Sequence, residues 1–222
     1  MPTIARSDPR AAAPAKPLLR GVSHEIAAVV AVVAWIALAA FAPSARSRTA
    51  ANVYGASLFA LFFVSALYHR PNWAPRARAW MRRLDHSAIF LLIAGTYTPI
   101  CLLLPSATGL PLLAIVWGGA ALGIVQSILW VHAPKALVAA IYVALGWALL
   151  PVLPTVRSVL GPPALVLLFA GGAAYTLGAI VYATRRPDPF PRVFGYHEVF
   201  HALVIAAAAC HFAVVARAIP GL

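Results

Sequence analysis

Seven apolar runs constrain this chain more than any other feature. A helix needs about 20 residues, at about 1.5 Å each, to cross roughly 30 Å of hydrocarbon. The runs cover about 24–42, 50–69, 86–104, 111–131, 136–153, 163–183 and 196–217, and each reaches that length or nearly so. Pro43, Pro71, Pro105, Pro134, Pro154, Pro162, Pro163 and the Pro187 to Pro191 segment punctuate the joins, where helix-stopping residues belong. Lipid offers no partner to an open strand edge. The expected fold is therefore all-α, a polytopic bundle of seven transmembrane helices over residues 21–222. Of the residues, 63% are hydrophobic, well above the roughly 45–50% of soluble domains. Residues 1–20 are rich in Ala and Pro and show no apolar period, so a disordered basic tail is expected there. The first run follows a basic region, as a signal peptide would. Pro43 sits just past the would-be cleavage point and six more runs follow, so it is read as a retained helix.

Charge orients the bundle. The chain carries 17 Lys and Arg against five acids, Asp8, Glu25, Asp85, Asp188 and Glu198. In a soluble protein such an excess suggests nucleic acid. Here the basic residues fall in tails and loops, where they set topology and meet anionic headgroups, so nucleic acid is excluded as a partner. With the N-terminus in the cytoplasm, 13 basic residues lie on that side: Arg6, Arg10, Lys16, Arg20, Arg70, Arg76, Arg78, Arg82, Arg83, Lys135, Arg185, Arg186 and Arg192. Four lie outside: Arg46, Arg48, Arg157 and Arg217. The bias predicts N-in, C-out, opposite to G-protein-coupled receptors. Cys101 and Cys210 lie inside apolar runs without CxxC spacing, which argues against a disulfide or a zinc finger.

Ionisable groups at membrane depth are costly and point to function. His197 and His201 are four residues apart, so a helix puts both imidazoles on one face. Ser65 and His69 share a face of the second helix by the same spacing, and Asp85 precedes the third. The N-in topology places Ser65, His69, Asp85, His197 and His201 in the same cytoplasmic half. His69, His197 and His201 give three imidazole ligands for zinc and leave a fourth position for water. Asp85 is placed to hold that water and accept its proton, and Ser65 to bond the water or a substrate oxygen. The chemistry expected is metal-assisted hydrolysis of an amide or ester. Taken singly, each residue has a plainer reading: a snorkelling His, as for His24 and His132, or Asp85 paired with Arg82 or Arg83. The shared depth and the paired spacings favour the metal site. His86 and His211 have no role in this reading. Thr96, Tyr97 and Thr98 are assigned to helix packing and a kink, and Glu25 to pairing with loop arginines.

Ser65-Ala66-Leu67-Tyr68-His69, Leu84-Asp85-His86-Ser87 running on to Ala94-Gly95-Thr96-Tyr97-Thr98-Pro99, and His197-Glu198-Val199-Phe200-His201 resemble the hemolysin III family. That family is grouped with the progestin and adipoQ receptors, including the adiponectin receptors, and more widely with alkaline ceramidases. The resemblance spans about residues 22–217. It implies seven helices, N-in, in a bacterial-type inner membrane. It also implies a zinc near the cytoplasmic face, held by His69, His197 and His201, with Asp85 beside its water and Ser65 behind it. Ceramide hydrolysis is associated with the receptors and ceramidases, so a ceramidase-like activity on membrane lipids, or a part in membrane lipid homeostasis, is the expectation. No protein partner is indicated. The chain lacks the long N-terminal region of the animal receptors, which argues against hormone binding. Two alternatives remain. One is a non-enzymatic sensor of bilayer order, or a cytolytic pore, with structural zinc. The other is an intramembrane metalloprotease, because His197-Glu198-x-x-His201 matches HExxH with Glu198 as base.

Overall fold

In the computed structural model, residues 16–222 are described, and they are helical nearly throughout. The helices are α1 (Val22–Ala40), α2 (Ala45–His69), α3 (Pro75–Leu103), α4 (Ser106–Leu129), α5 (Lys135–Gly146), α6 (Leu153–Thr184) and α7 (Tyr196–Ala218). Apart from one isolated bridge between Phe190 and Phe194, the described residues contain no β-structure. Six helical stretches are long and apolar enough to cross a membrane. The expected fifth and sixth runs fall within one 50-residue stretch, Lys135–Thr184. Of the expected tail, residues 1–15 lie outside the described residues. Lys16 to Arg20 are tied down: Lys16 Nζ donates to Arg70 O, and the Leu18 and Leu19 amides donate to Arg192 O and Val193 O.

Two breaks shape the Lys135–Thr184 stretch. The first follows Gly146. Pro151 and Pro154 carry no N–H and their rings crowd the carbonyls four residues back, so α5 ends early and passes through a 3₁₀ turn at Leu150–Val152. Tyr97 of α3 repairs the gap. Its hydroxyl donates to Gly146 O at 2.8 Å and accepts from the Leu149 amide at 3.1 Å. The second break is Gly161, at φ 76° and ψ 167°, a backbone conformation that glycine adopts freely, followed by Pro162 and Pro163. The segments on either side of Gly161 lie together. Trp147 Nε1 donates to Thr176 Oγ1, and Lys135 Nζ stands 4.7 Å from the centre of the Tyr182 ring.

α3 is the central helix. Its Ala88 and Leu92 pack with Tyr54, Phe62 and Val215 of α2 and α7. Its Phe90 and Tyr97 pack with Val116 and Leu149. Its Ile100 packs with Leu168 and Val214 of α6 and α7. Lipid tails are as apolar as these side chains, so close packing rather than water exclusion holds the helices together. Gly95 lets α3 approach Ser57 of α2, where a Cβ would collide with the serine hydroxyl. α3 begins at Pro75, a favoured first-turn residue, about ten residues before the expected start. Its 29 residues make about 44 Å, more than the hydrocarbon core needs, so the helix is long enough for its Arg-rich first part to reach beyond the lipid. Asp85 consequently stands inside a helix rather than just ahead of one.

Tyr97→Phe removes one hydroxyl and leaves both the Gly146 carbonyl and the Leu149 amide unpaired. The expected cost is about 1–3 kcal/mol, read as a lower unfolding midpoint of the purified protein in detergent. An unchanged midpoint would mean that other groups satisfy this break.

Candidate metal centre

The site is built at the start of α7. A helix leaves its first amides without internal partners, and two carboxylates take them here. Glu198 Oε2 accepts from the Gly195 amide and Asp188 Oδ1 from the Tyr196 amide, both at 2.8 Å. Negative charge at this end also suits the helix dipole. The turn so fixed carries His197 and His201 on one face. His69, in the last turn of α2, meets them. His69 Nε2 and His197 Nε2 are 3.0 Å apart, and the His201 ring centre lies 5.1 Å from that of His69 and 4.5 Å from that of His197.

All three imidazoles are buried, and each offers one ring nitrogen within 4.8 Å of the others. The three histidines expected from spacing are thus together and could hold a metal ion. His201 Nδ1 is also buried without a hydrogen-bond partner. A buried nitrogen without a partner is costly unless something unseen satisfies it. Tetrahedral zinc with Zn–N bonds near 2.1 Å sets ligand nitrogens about 3.3–3.4 Å apart, close to the observed pair.

The cluster opens on a cavity of about 590 Å³ that reaches from the helix ends, past the histidines, to His211. Asp85 and Ser65 both line it. The Ser65 hydroxyl shares a 2.9 Å hydrogen bond with His24 Nδ1 and also neighbours the Asp85 carboxylate. His86 lines the wall as well.

Three features escaped the sequence reading. His24, expected to snorkel at the interface, is only 2% exposed and stacks flat on His201 at 3.7 Å. Its partner lies on another helix, so no local spacing announces it. Arg20, expected in a loose tail, forms an ion pair with Glu198, which is itself 2% exposed. Gly21 at φ 81° makes the turn between them and passes so close to His69 that a Cβ would lie 2.8 Å from the histidine Cβ. The positive φ makes glycine the natural residue there, and this was the one available signal. Other expectations are simpler to place. Glu25 pairs with Arg70 at 2.9 Å. Asp85 makes no ion pair with Arg82 or Arg83. Arg82 donates instead to Val131 O and His132 Nδ1, and Arg83 to Ile128 O. His211 sits at the deep end of the cavity and bonds Leu168 O.

The family model for haemolysin-III-related proteins matches residues 13–212. The chain belongs to this family. It is 34% identical over 199 residues to Hemolysin-3 of Bacillus cereus, covering 88% of each chain. It is 31% identical over 199 residues to the Hemolysin-3 homolog of Bacillus subtilis strain 168, covering 88% of this chain and 90% of that one. A more distant likeness, 27% over 200 residues, links it to the human monocyte to macrophage differentiation factor, over 86% and 79% of the two chains. These matches agree with the resemblance to the progestin and adipoQ receptors. With its apolar helices, they make this haemolysin-III-related chain an integral protein of the inner membrane.

Arg20→Ala would leave the Glu198 carboxylate buried beside its single backbone amide. The expected loss is about 3 kcal/mol of stability, seen as a lower unfolding midpoint. A double variant with Glu198→Gln should recover part of it. No recovery would show that Arg20 acts by packing alone.

Proposed function

We propose that this protein is a zinc-dependent hydrolase of lipid amides or esters, ceramidase-like in chemistry, working near the cytoplasmic face. The observation that carries the reading is the convergence of three buried imidazoles beside a cavity that also holds Asp85 and Ser65. A structural site would more naturally be closed by a fourth protein ligand. We further propose seven crossings with the N-terminus inside. The side-by-side packing about Gly161 supports two crossings within Lys135–Thr184, and the Arg and Lys count supports the orientation.

His69, His197 and His201 would hold the zinc. When bound, it would supply a Lewis acid and a nucleophile at neutral pH. The chain's own residues do the rest. The Asp85 carboxylate accepts the proton released as the nucleophile attacks and returns it to the leaving group. The Ser65 hydroxyl, steadied by His24, orients Asp85 or a substrate oxygen. The apolar inner wall takes the acyl chain and keeps bulk water away. The membrane-lipid substrate follows from where the cavity sits, within the helix bundle.

Glu198 fits a protease base poorly. One of its oxygens is engaged by Arg20 and the other by the Gly195 amide, and Glu198 is not among the residues that line the cavity. It serves to fix the helix turn that carries the histidines.

Purified wild-type protein should contain about one zinc per chain, and His69→Ala, His197→Ala and His201→Ala should each lose most of it. Asp85→Asn should keep the metal and lower lipid hydrolysis about 10²–10⁴-fold. Glu198→Gln should retain most of the activity; if it alone abolishes turnover, the HExxH protease reading replaces this one. Zinc-loaded wild type that cleaves no lipid class, yet unfolds on chelation, would point to a structural metal in a sensor or pore.

A further inference from the structure

The mouth of the cavity is strongly basic. Arg20, Arg78, Arg82, Lys135 and Arg185 line it, and Asp85 is its one acidic lining residue among the described residues. Arg20 is taken by Glu198. Among the described residues, none of the other four pairs with a carboxylate. Arg78 lies over the Tyr68 ring at 5.7 Å and Lys135 over the Tyr182 ring at 4.7 Å, contacts that leave their charges open on the far side. Arg82 Nε is buried and has no hydrogen-bond partner. Burial and then the charges of Arg78, Arg20 and Arg70 pull the pKa of nearby Lys16 below its ordinary value, a sign of positive potential at this end. Arg185 closes α6 at φ 58°, where glycine is the usual residue. A side chain kept in that conformation points to a use for its charge.

Below the mouth the wall turns apolar, with Ile93, Trp147 and Val204 along it. From His197 to His211, both lining the cavity, α7 rises about 21 Å. Tyr182, beneath Lys135, lies 6.0 Å ring to ring from His197, so the basic mouth adjoins the histidine cluster.

We propose, building on the hydrolase reading, that the mouth binds a phosphate and that the substrate is a phosphate-bearing anionic lipid. The phosphate rests among Arg78, Arg82, Lys135 and Arg185. The acyl chain runs inward along α7, which brings the headgroup-proximal ester or amide beside the histidines. The shared chemistry of lipid phosphate and free phosphate makes the length of the attached chain the deciding variable.

The test is equilibrium binding of radiolabelled dodecyl phosphate to the full chain in nanodiscs of zwitterionic lipid. An Arg82→Gln, Lys135→Gln double variant should bind about tenfold more weakly or worse. Arg185→Gly should also bind more weakly while unfolding no earlier than wild type, because its backbone favours glycine. Arg76→Gln and Arg186→Gln, at the same end but outside the cavity lining, should stay within about twofold. Equal weakening by these controls would overturn the proposal in favour of general surface charge. So would displacement by inorganic phosphate at matched concentration, which would make a free anion the ligand, or displacement by dodecyl maltoside, which would deny the headgroup charge any role. Binding is read without turnover, so absence of lipid cleavage would sink the hydrolase reading and the substrate role with it, while the phosphate-binding mouth would stand.

Discussion

Inside a bilayer, an N–H or C=O that leaves a helix has no water to turn to. Much of this structure answers that constraint. Where α5 breaks, a tyrosine hydroxyl from α3 serves both the freed carbonyl and an unused amide. Where α2 starts, Ser44 and Ser47 cap one another's amides. Where α7 starts, Glu198 and Asp188 take two amides. Against this background the histidine cluster stands out. There nitrogen faces nitrogen, and one ring nitrogen has no partner. The His69–His197 contact can be an N–H···N hydrogen bond, but the partnerless His201 nitrogen is left over, and the three imidazoles together could hold a cation.

The position of these histidines depends on residues far away in sequence. Glu198 is both the cap of α7 and the anion that holds Arg20, and Arg20 leads directly into the tight Gly21 turn over His69. One turn further on, His24 stacks on His201 and bonds Ser65. The start of α1 thus roofs the centre. A carboxylate between two histidines that could hold a metal invites reading as a catalytic base, yet this one caps α7 and pairs with Arg20. The acid that remains in the cavity wall is Asp85.

Local pattern made much of this legible. Apolar length announced the helices, and i,i+4 spacing announced Ser65 with His69 and His197 with His201. What local pattern could not carry was contact between distant segments. Arg20 and Glu198 are 178 residues apart, and nothing in a Pro- and Ala-rich leader suggests that its end is pinned. The early start of α3 was hidden because its first turns carry arginines rather than an apolar stripe, as a helix emerging from lipid is free to do. The join at Pro162 and Pro163 was legible, because Gly-Pro-Pro ordinarily reads as a break, and Gly161 does leave helical geometry there.

Net charge illustrates the same limit from another side. Counting Arg and Lys gives an orientation, and for that purpose Arg76 and Arg82 are equivalent. Geometry separates them. Arg76 is exposed, whereas Arg82 lines the cavity with a buried Nε and pairs with no carboxylate. Charges needed only for topology have no reason to face inward, because an inward cation gives up solvent and gains no extra topological weight. Arg82 is such a cation, and with the more exposed Arg78, Lys135 and Arg185 lining the same cavity beside the histidine cluster, the proposed lipid phosphate would give it a counter-charge.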